Sequence, residues 1–148
     1  MLKKYQSLVH QHIPITRYME WQINYLSTSQ VITLTRLEPN INVHATAFAG
    51  SLYASAMATG WTLMKCWYDS HGFSADLVAA EASIQYLSPV KTDFECIANL
   101  DQATPEYDQL LTRLQQNRSC GYLLPIEIQA EESVCAILSS QFVFKCRK

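Results

Sequence analysis

A curled antiparallel sheet wrapped around one long central helix, an α+β arrangement, is the fold the sequence predicts. Three observations predict it. Between Glu38 and Lys65 the chain carries no Asp, Glu, Lys or Arg. The run from Asn42 to Tyr68, if helical, therefore has no charged face for water and must be enclosed by other parts of the chain. On either side of it lie stretches in which apolar and polar residues alternate, the mark of strands with one buried face. Charged residues make up only 16% of the chain against 49% hydrophobic, below the roughly one quarter usual in soluble domains. That deficit says much of the surface is covered, most simply by a second subunit.

The elements follow in order. Residues 2–13 (LKKYQSLVHQHI) read as a short amphipathic, solvated helix that carries His10 and His12 and is stopped by Pro14. Met19–Ser27 alternates, with Trp21, Ile23 and Tyr25 on one face, and Thr28-Ser29 makes a turn. Val31–Glu38 is β-branched and alternating, the hairpin partner of the first strand, and Pro39-Asn40 ends it. The central helix is expected from Thr46–Phe48 to about Ser70, with Gly72 as its stop and Gly60 marking close packing.

Ser74–Ser88 is the longest strand, with Val78, Ala80, Ala82, Ile84 and Tyr86 on one face and Leu77, Ala79, Glu81, Ser83, Gln85 and Leu87 on the other. Asp93–Asp101 follows, with Phe94, Cys96, Ala98 and Leu100 on one face. Thr104-Pro105 reads as an N-cap and first-turn proline of a helix carrying Leu110, Leu111 and Leu114. Ser119–Ala130 turns Cys120, Tyr122, Leu124, Ile126 and Ile128 inward, and Pro125 argues for an edge position or a bulge. After a Glu131-Glu132 turn, Val134–Lys145 points Val134, Ala136, Leu138, Ser140, Phe142 and Phe144 inward.

Composition excludes several functions. The 148 residues suit one domain spanning positions 1–148. The central run is too rich in Ala, Gly, Ser and Thr for a membrane span, and no Lys/Arg cluster flanks it. A net charge of −2 leaves no electrostatic footprint for nucleic acid. Five dispersed cysteines, without a Cys-x-x-Cys pair and behind an opening that lacks an apolar signal core, point to free thiols in the cytoplasm. His10, His12, His44 and His71 do not pair with them at zinc-ligand spacing, so no metal is expected.

The polar lead-in Asn40-Ile-Asn42-Val-His44 before a buried helix marks a reaction or binding site. The lead-in and helix (Asn42-Val-His44-Ala-Thr46-Ala-Phe48-Ala-Gly50-Ser51-Leu52-Tyr53, then Gly60-Trp61), with Ala80-Glu81-Ala82 and Tyr86-Leu87-Ser88-Pro89, resemble the hotdog fold of acyl-CoA thioesterases. The likeness is strongest to a thioesterase family that also occurs as the C-terminal domain behind GNAT-type acetyltransferases in some bacteria, and it covers roughly Ile13 to Lys148.

The resemblance implies hydrolysis of an acyl-CoA or acyl-carrier-protein thioester. No cofactor is implied beyond the coenzyme A carried by the substrate. It also implies a homodimer, or a tetramer, joined edge to edge through Ala75–Ser88, with the site at the dimer interface and no nucleic-acid or membrane partner. In such enzymes a lead-in Asn, a His-Gly-Gly turn, a helix carboxylate and a Ser or Thr on the partner strand do the chemistry. Here the Asn falls on Asn42, because Ala45-Thr46 takes the place of the usual Gly-Thr. The His falls on Phe48, the glycines on Ala49 and Gly50, the carboxylate near Met57 and the strand hydroxyl near Ala79.

Substrate contacts are therefore expected from Thr46, Phe48, Ala49, Gly50, Ser51, Thr59 and Ala79, with the amides of Ala49, Gly50 and Ser51 holding the oxyanion. His44 or Glu81 is expected to activate water and Asn42 to place the carbonyl. Plainer roles stand beside each: a backbone-bonded loop histidine, a helix-entry Asn, a cross-dimer ion pair for Glu81, self-bonded hydroxyls for Ser51 and Thr59, and core packing for Trp61 and Trp67. The rival function is a dimer that holds acyl-CoA or another apolar ligand without turnover, and a weaker one is a purely structural oligomer.

Overall fold

The computed structural model describes residues 1–147; Lys148, the last residue of the expected domain, lies outside them. The elements are α1 (Leu2–His12), the one-turn α2 (Ile15–Tyr18), β1 (Trp21–Leu26), β2 (Gln30–Thr35), α3 (Ala49–Ser70), β3 (Ala75–Tyr86), β4 (Phe94–Asn99), α4 (Pro105–Gln115), β5 (Cys120–Ala130) and β6 (Ser133–Cys146). The strands form one antiparallel sheet in the order β1-β2-β4-β5-β6-β3, curled around α3. This is the expected hotdog arrangement.

The long helix is enclosed as its lack of charge demands. Leu63, Met64 and Trp67 are wholly buried, with Ala56 and Thr59 beside them. Gly60 lets the sheet close. A Cβ there would lie 2.9 Å from Ile126 Cδ1 and 3.1 Å from Phe142 Cε2, both on fully buried strand residues. At its C-terminus α3 ends on Gly72, whose φ is +69°. The Phe73 N–H returns to the Tyr68 carbonyl and the Gly72 N–H to that of Asp69, a Schellman close.

Two helices pack against the C-terminal part of α3. Thr104 Oγ1 caps α4 by accepting from the Tyr107 N–H at 3.2 Å, and Trp67 Nε1 donates to Tyr107 Oη at 3.1 Å. At the other end of the chain, Tyr5 of α1 donates to Asp69 Oδ2 at 2.7 Å, beside the Lys65–Asp69 ion pair. Burial of Tyr5 and its hydrogen bond to Asp69 push its phenol well up.

Three expectations need correction, all from local departures in strand geometry. A bulge between Ile23 and Tyr25 turns Tyr25 out and Leu26 in. A second bulge, between Ala79 and Glu81, reverses the face of β3 partway along. Ala75 and Leu77 face the core before it; Ala82 and Ile84 face the core after it, which leaves Val78 and Glu81 outside. An inserted residue flips every following side chain, and edge strands are where such insertions gather. A third irregularity, between Ile128 and Gln129 in the β5–β6 pairing, turns Cys135 into the core and leaves Val134, expected inward, only half-buried. Pro125, expected at an edge or a bulge, pairs with Ser139 of β6. Pairing with β4 stops at Ile126, so Pro125 is the first residue with no strand on that flank, the edge-like position its missing N–H requires.

The tight contact at Gly60 yields a test. Gly60→Val gains helix propensity but overpacks against Ile126 and Phe142, and should cost about 2 kcal/mol of stability. Chemical denaturation of the variant measures it; a variant as stable as the parent would mean the sheet can move away from the helix.

Candidate functional site

The start of α3 is built by its polar lead-in. Asn42 organises the loop: its Oδ1 accepts from the His44 N–H at 2.9 Å and the Thr46 N–H at 3.2 Å, and its Nδ2 donates to Thr46 Oγ1 at 3.0 Å. Ala45 turns with a φ of +59°, and the Asn42 N–H closes on the Thr46 carbonyl at 2.8 Å. Buried Asn40 anchors the loop from below, its Nδ2 donating to the carbonyls of Met19 and Arg36 at 2.8 and 2.7 Å. The Ala47 N–H donates to the Val90 carbonyl and the Phe48 N–H to that of Asn40.

These bonds settle where the first helical amides point. The Phe48 carbonyl accepts from the N–H groups of Ser51 and Leu52, at 2.9 and 3.1 Å. The N–H groups of Ala49 and Gly50 have no partner among the described residues. They stand at the positive end of a 22-residue helix, where unpaired donors and the helix dipole attract developing negative charge. The expectation that Ser51 also offers its amide is corrected: that donor is already taken. The half-exposed Phe48 ring lies over Gly50, where a Cβ would sit 2.5 Å from Phe48 Cε2, so a larger residue there displaces the ring.

Beside these amides is a cleft of about 350 Å³. Asn42, Thr46 and Ala47 form one wall, Ala49 and Leu52 the floor, and Tyr86-Leu87-Ser88-Pro89-Val90 the other wall. Its volume is at the lower end of ligand-sized sites. Tyr86 Oη donates to the Ala49 carbonyl at 2.9 Å. Burial, with a smaller contribution from Tyr53, raises the Tyr86 phenol above its ordinary value, so it stays a donor at neutral pH. The second wall carried part of the resemblance in sequence, but nothing in its composition marked Tyr86 as a site residue.

The structure brings Asn42, Thr46 and Ala49 to this cleft, with Gly50 next along the helix and His44 exposed on the adjoining loop. It separates three other expected site residues. Glu81 is exposed on the outer face of the sheet, with Ser83, Leu123, Ser139 and Gln141, not in a desolvated interior. Thr59 is wholly buried; its hydroxyl donates to the Ser55 carbonyl at 2.7 Å, meets Thr33 Oγ1 at 2.7 Å and accepts from Trp21 Nε1 at 3.2 Å. Cys96 lies beside this cluster, and burial pushes its thiol up to about 12. Ala79 lines a separate apolar groove of about 230 Å³ with Ile13, Ile15, Tyr53, Met57 and Trp61. Trp67 is core as expected, whereas Trp61 is a half-buried wall of that groove.

Comparison with known proteins places this geometry. Residues 2–146 match the model of the family described as "Putative thioesterase (yiiD_Cterm)". The fold superposes on a "putative thioesterase" from Shewanella oneidensis with a TM-score of 0.86 at 26% identity, covering 97% of this chain and 96% of that one. A protein of unknown function from Pseudomonas aeruginosa, described as a "probable thioesterase", gives 0.85 at 20% identity over 98% and 95%. A thioesterase from Haemophilus influenzae gives 0.77 at 11% over 99% and 91%. The last two, at such low identity, speak to the fold alone.

The buried hydroxyl cluster gives a prediction that distinguishes core from substrate contact. Thr59→Val leaves the Trp21 indole N–H and the Thr33 hydroxyl short of a partner and should cost about 1–3 kcal/mol of stability. Denaturant unfolding reads that loss, while binding of an acyl-CoA should be unchanged. Loss of binding with stability intact would return Thr59 to the site.

Proposed function

We propose, on the premise that this chain belongs to the "Putative thioesterase (yiiD_Cterm)" family and has its hotdog fold, that it hydrolyses the thioester of an acyl-coenzyme A or acyl carrier protein in the cleft at the start of α3. The observation that carries this is the pair of unpartnered amides, Ala49 and Gly50, beside a solvent-reachable cleft. A thioester carbonyl set there would develop its negative charge against fixed donors, and one such donor is typically worth about 10²–10³ in kcat.

Water attacks the carbonyl carbon, and His44, two residues from Asn42 and exposed on the adjoining loop, takes its proton. The tetrahedral oxyanion rests on the two amides. Its collapse expels the thiolate, which recovers the proton, leaving a carboxylic acid and a thiol. Asn42, its side chain committed to the loop, fixes the loop's shape and thereby the place of His44. Glu81, on the outer face of β3, has no part in this scheme.

The reading includes a homodimer. β3 is bonded on one side only, by β6, and its free edge runs beside the apolar groove of Tyr53, Met57, Trp61 and Ala79. A partner strand on that edge would cover both and add residues of the second protomer to the surroundings of the cleft. Free cysteines throughout support a reducing, cytoplasmic setting, and no helix among the described residues is long and apolar enough to cross a membrane. One feature favours the rival, binding without turnover: neither a carboxylate nor an imidazole lines the cleft walls.

A thiol-release assay over acyl-CoAs of graded chain length tests the reading. His44→Ala should lower kcat by about 10²-fold, in the range of general-base catalysis, while Glu81→Gln leaves it unchanged. Undiminished turnover by His44→Ala removes the assigned base. Calorimetric acyl-CoA binding with no thiol release establishes the binding module instead. In sedimentation equilibrium the protein should weigh twice its 16.8 kDa chain; a monomer at micromolar concentration sinks the shared site.

A further inference from the structure

Tyr86 reaches the helix start only because β3 carries its bulge. Without the residue inserted between Ala79 and Glu81, the alternation that points Ala75 and Leu77 inward would turn Tyr86 outward. With it, Tyr86 lies on the cleft wall and its hydroxyl donates to the Ala49 carbonyl at 2.9 Å. Bulges that re-aim a side chain cluster beside functional sites. The bond has a particular target. The Ala49 carbonyl and the Gly50 N–H are the two ends of one peptide group, and Gly50 N–H is one of the two unpartnered donors. A peptide is a resonant unit, so a donor at its oxygen draws electrons from nitrogen and strengthens the N–H as a donor in turn. Among the described residues no other side chain bonds that carbonyl.

We infer that Tyr86 is a positioning residue: by donating to the Ala49 carbonyl it fixes the direction, and raises the donor strength, of the Gly50 amide that meets the oxyanion. This rests on the hydrolase reading above. Tyr86 does not touch the reacting atoms; it acts through one peptide group. It also couples the exposed sheet edge to the catalytic amides, because β3 supplies both that edge and Tyr86.

The experiment uses the intact protein and Tyr86→Phe, which removes only the hydroxyl. The kcat on the best acyl-CoA should fall about tenfold while KM stays within about twofold, the pattern of an interaction made in the transition state. Affinity for a trifluoromethyl ketone analogue of acyl-CoA, which mimics the oxyanion, should fall by the same factor. Affinity for a thioether analogue, which has no such charge, should hold. The Gly50 amide proton resonance should move upfield. Replacing Tyr86 with 3-fluorotyrosine, a more acidic phenol, should move that resonance downfield, and this arm needs no activity and no deletion of the bond.

An unchanged kcat and ketone affinity, or equal loss of both analogues, overturns the assignment. If the parent protein turns over no thioester, the hydrolase reading fails. The Gly50 resonance then decides the linkage alone: opposite shifts in the two variants uphold it, and no shift removes it.

Discussion

The absence of charge along α3 is the constraint from which the rest of the structure follows. A helix of 22 residues with no acidic or basic side chain until Lys65 can exist in water only if other elements surround it. The sheet does so by curling, and it can curl this tightly because Gly60 presents no side chain to Ile126 and Phe142. The few polar groups that face inward answer one another: Thr59 with Ser55, Thr33 and Trp21, and Thr35 with Ser55 at 3.2 Å. No buried side-chain nitrogen or oxygen among the described residues lacks a hydrogen-bond partner. A core of this kind tolerates polar atoms because each is satisfied.

Enclosure leaves the helix two openings. One is its N-terminal tip, where Asn40, Asn42 and the Phe48 carbonyl consume nearby bonding capacity and leave two amides over. Held donors of this kind need no reorganisation when charge develops in front of them, and low-polarity surroundings strengthen their effect. The other opening is the flank bearing Tyr53, Met57 and Trp61, beside the free edge of β3. Exposed apolar surface next to unpaired backbone is a combination that a second chain satisfies at once.

Most of the fold was legible in the sequence because it is written in periodicity. The order of the long elements, the bounds of α3 at Phe48 and Gly72, the Thr104 cap and the inward faces of β4, β5 and, from Ala136 on, β6 all follow from spacing. What periodicity cannot express is an inserted residue. The irregularities near Asn24, Ala80 and Cys135 carry no glycine or proline to announce them, so simple alternation puts Tyr25, Glu81 and Val134 on the wrong faces. The same insertion hid Tyr86. Within the site, Asn42, Thr46, Ala49 and Gly50 were legible because they precede or begin the buried helix. The loss of the Ser51 amide was not, since it depends on the Phe48 carbonyl bonding three residues ahead.

Pro125 bears on a different hazard. Beyond Ile126, β5 runs on toward Cys120 with β6 at one side and no strand at the other. Such a notch, flanked by Leu124 and Ile126, is a template onto which an unfolded chain could add itself and seed a fibril. Proline at the lip of the notch offers no N–H for a newcomer to grip. One imino acid thus acts as a sentry on the aggregation-prone margin while costing the native ladder little, since the neighbouring strand has already ended there.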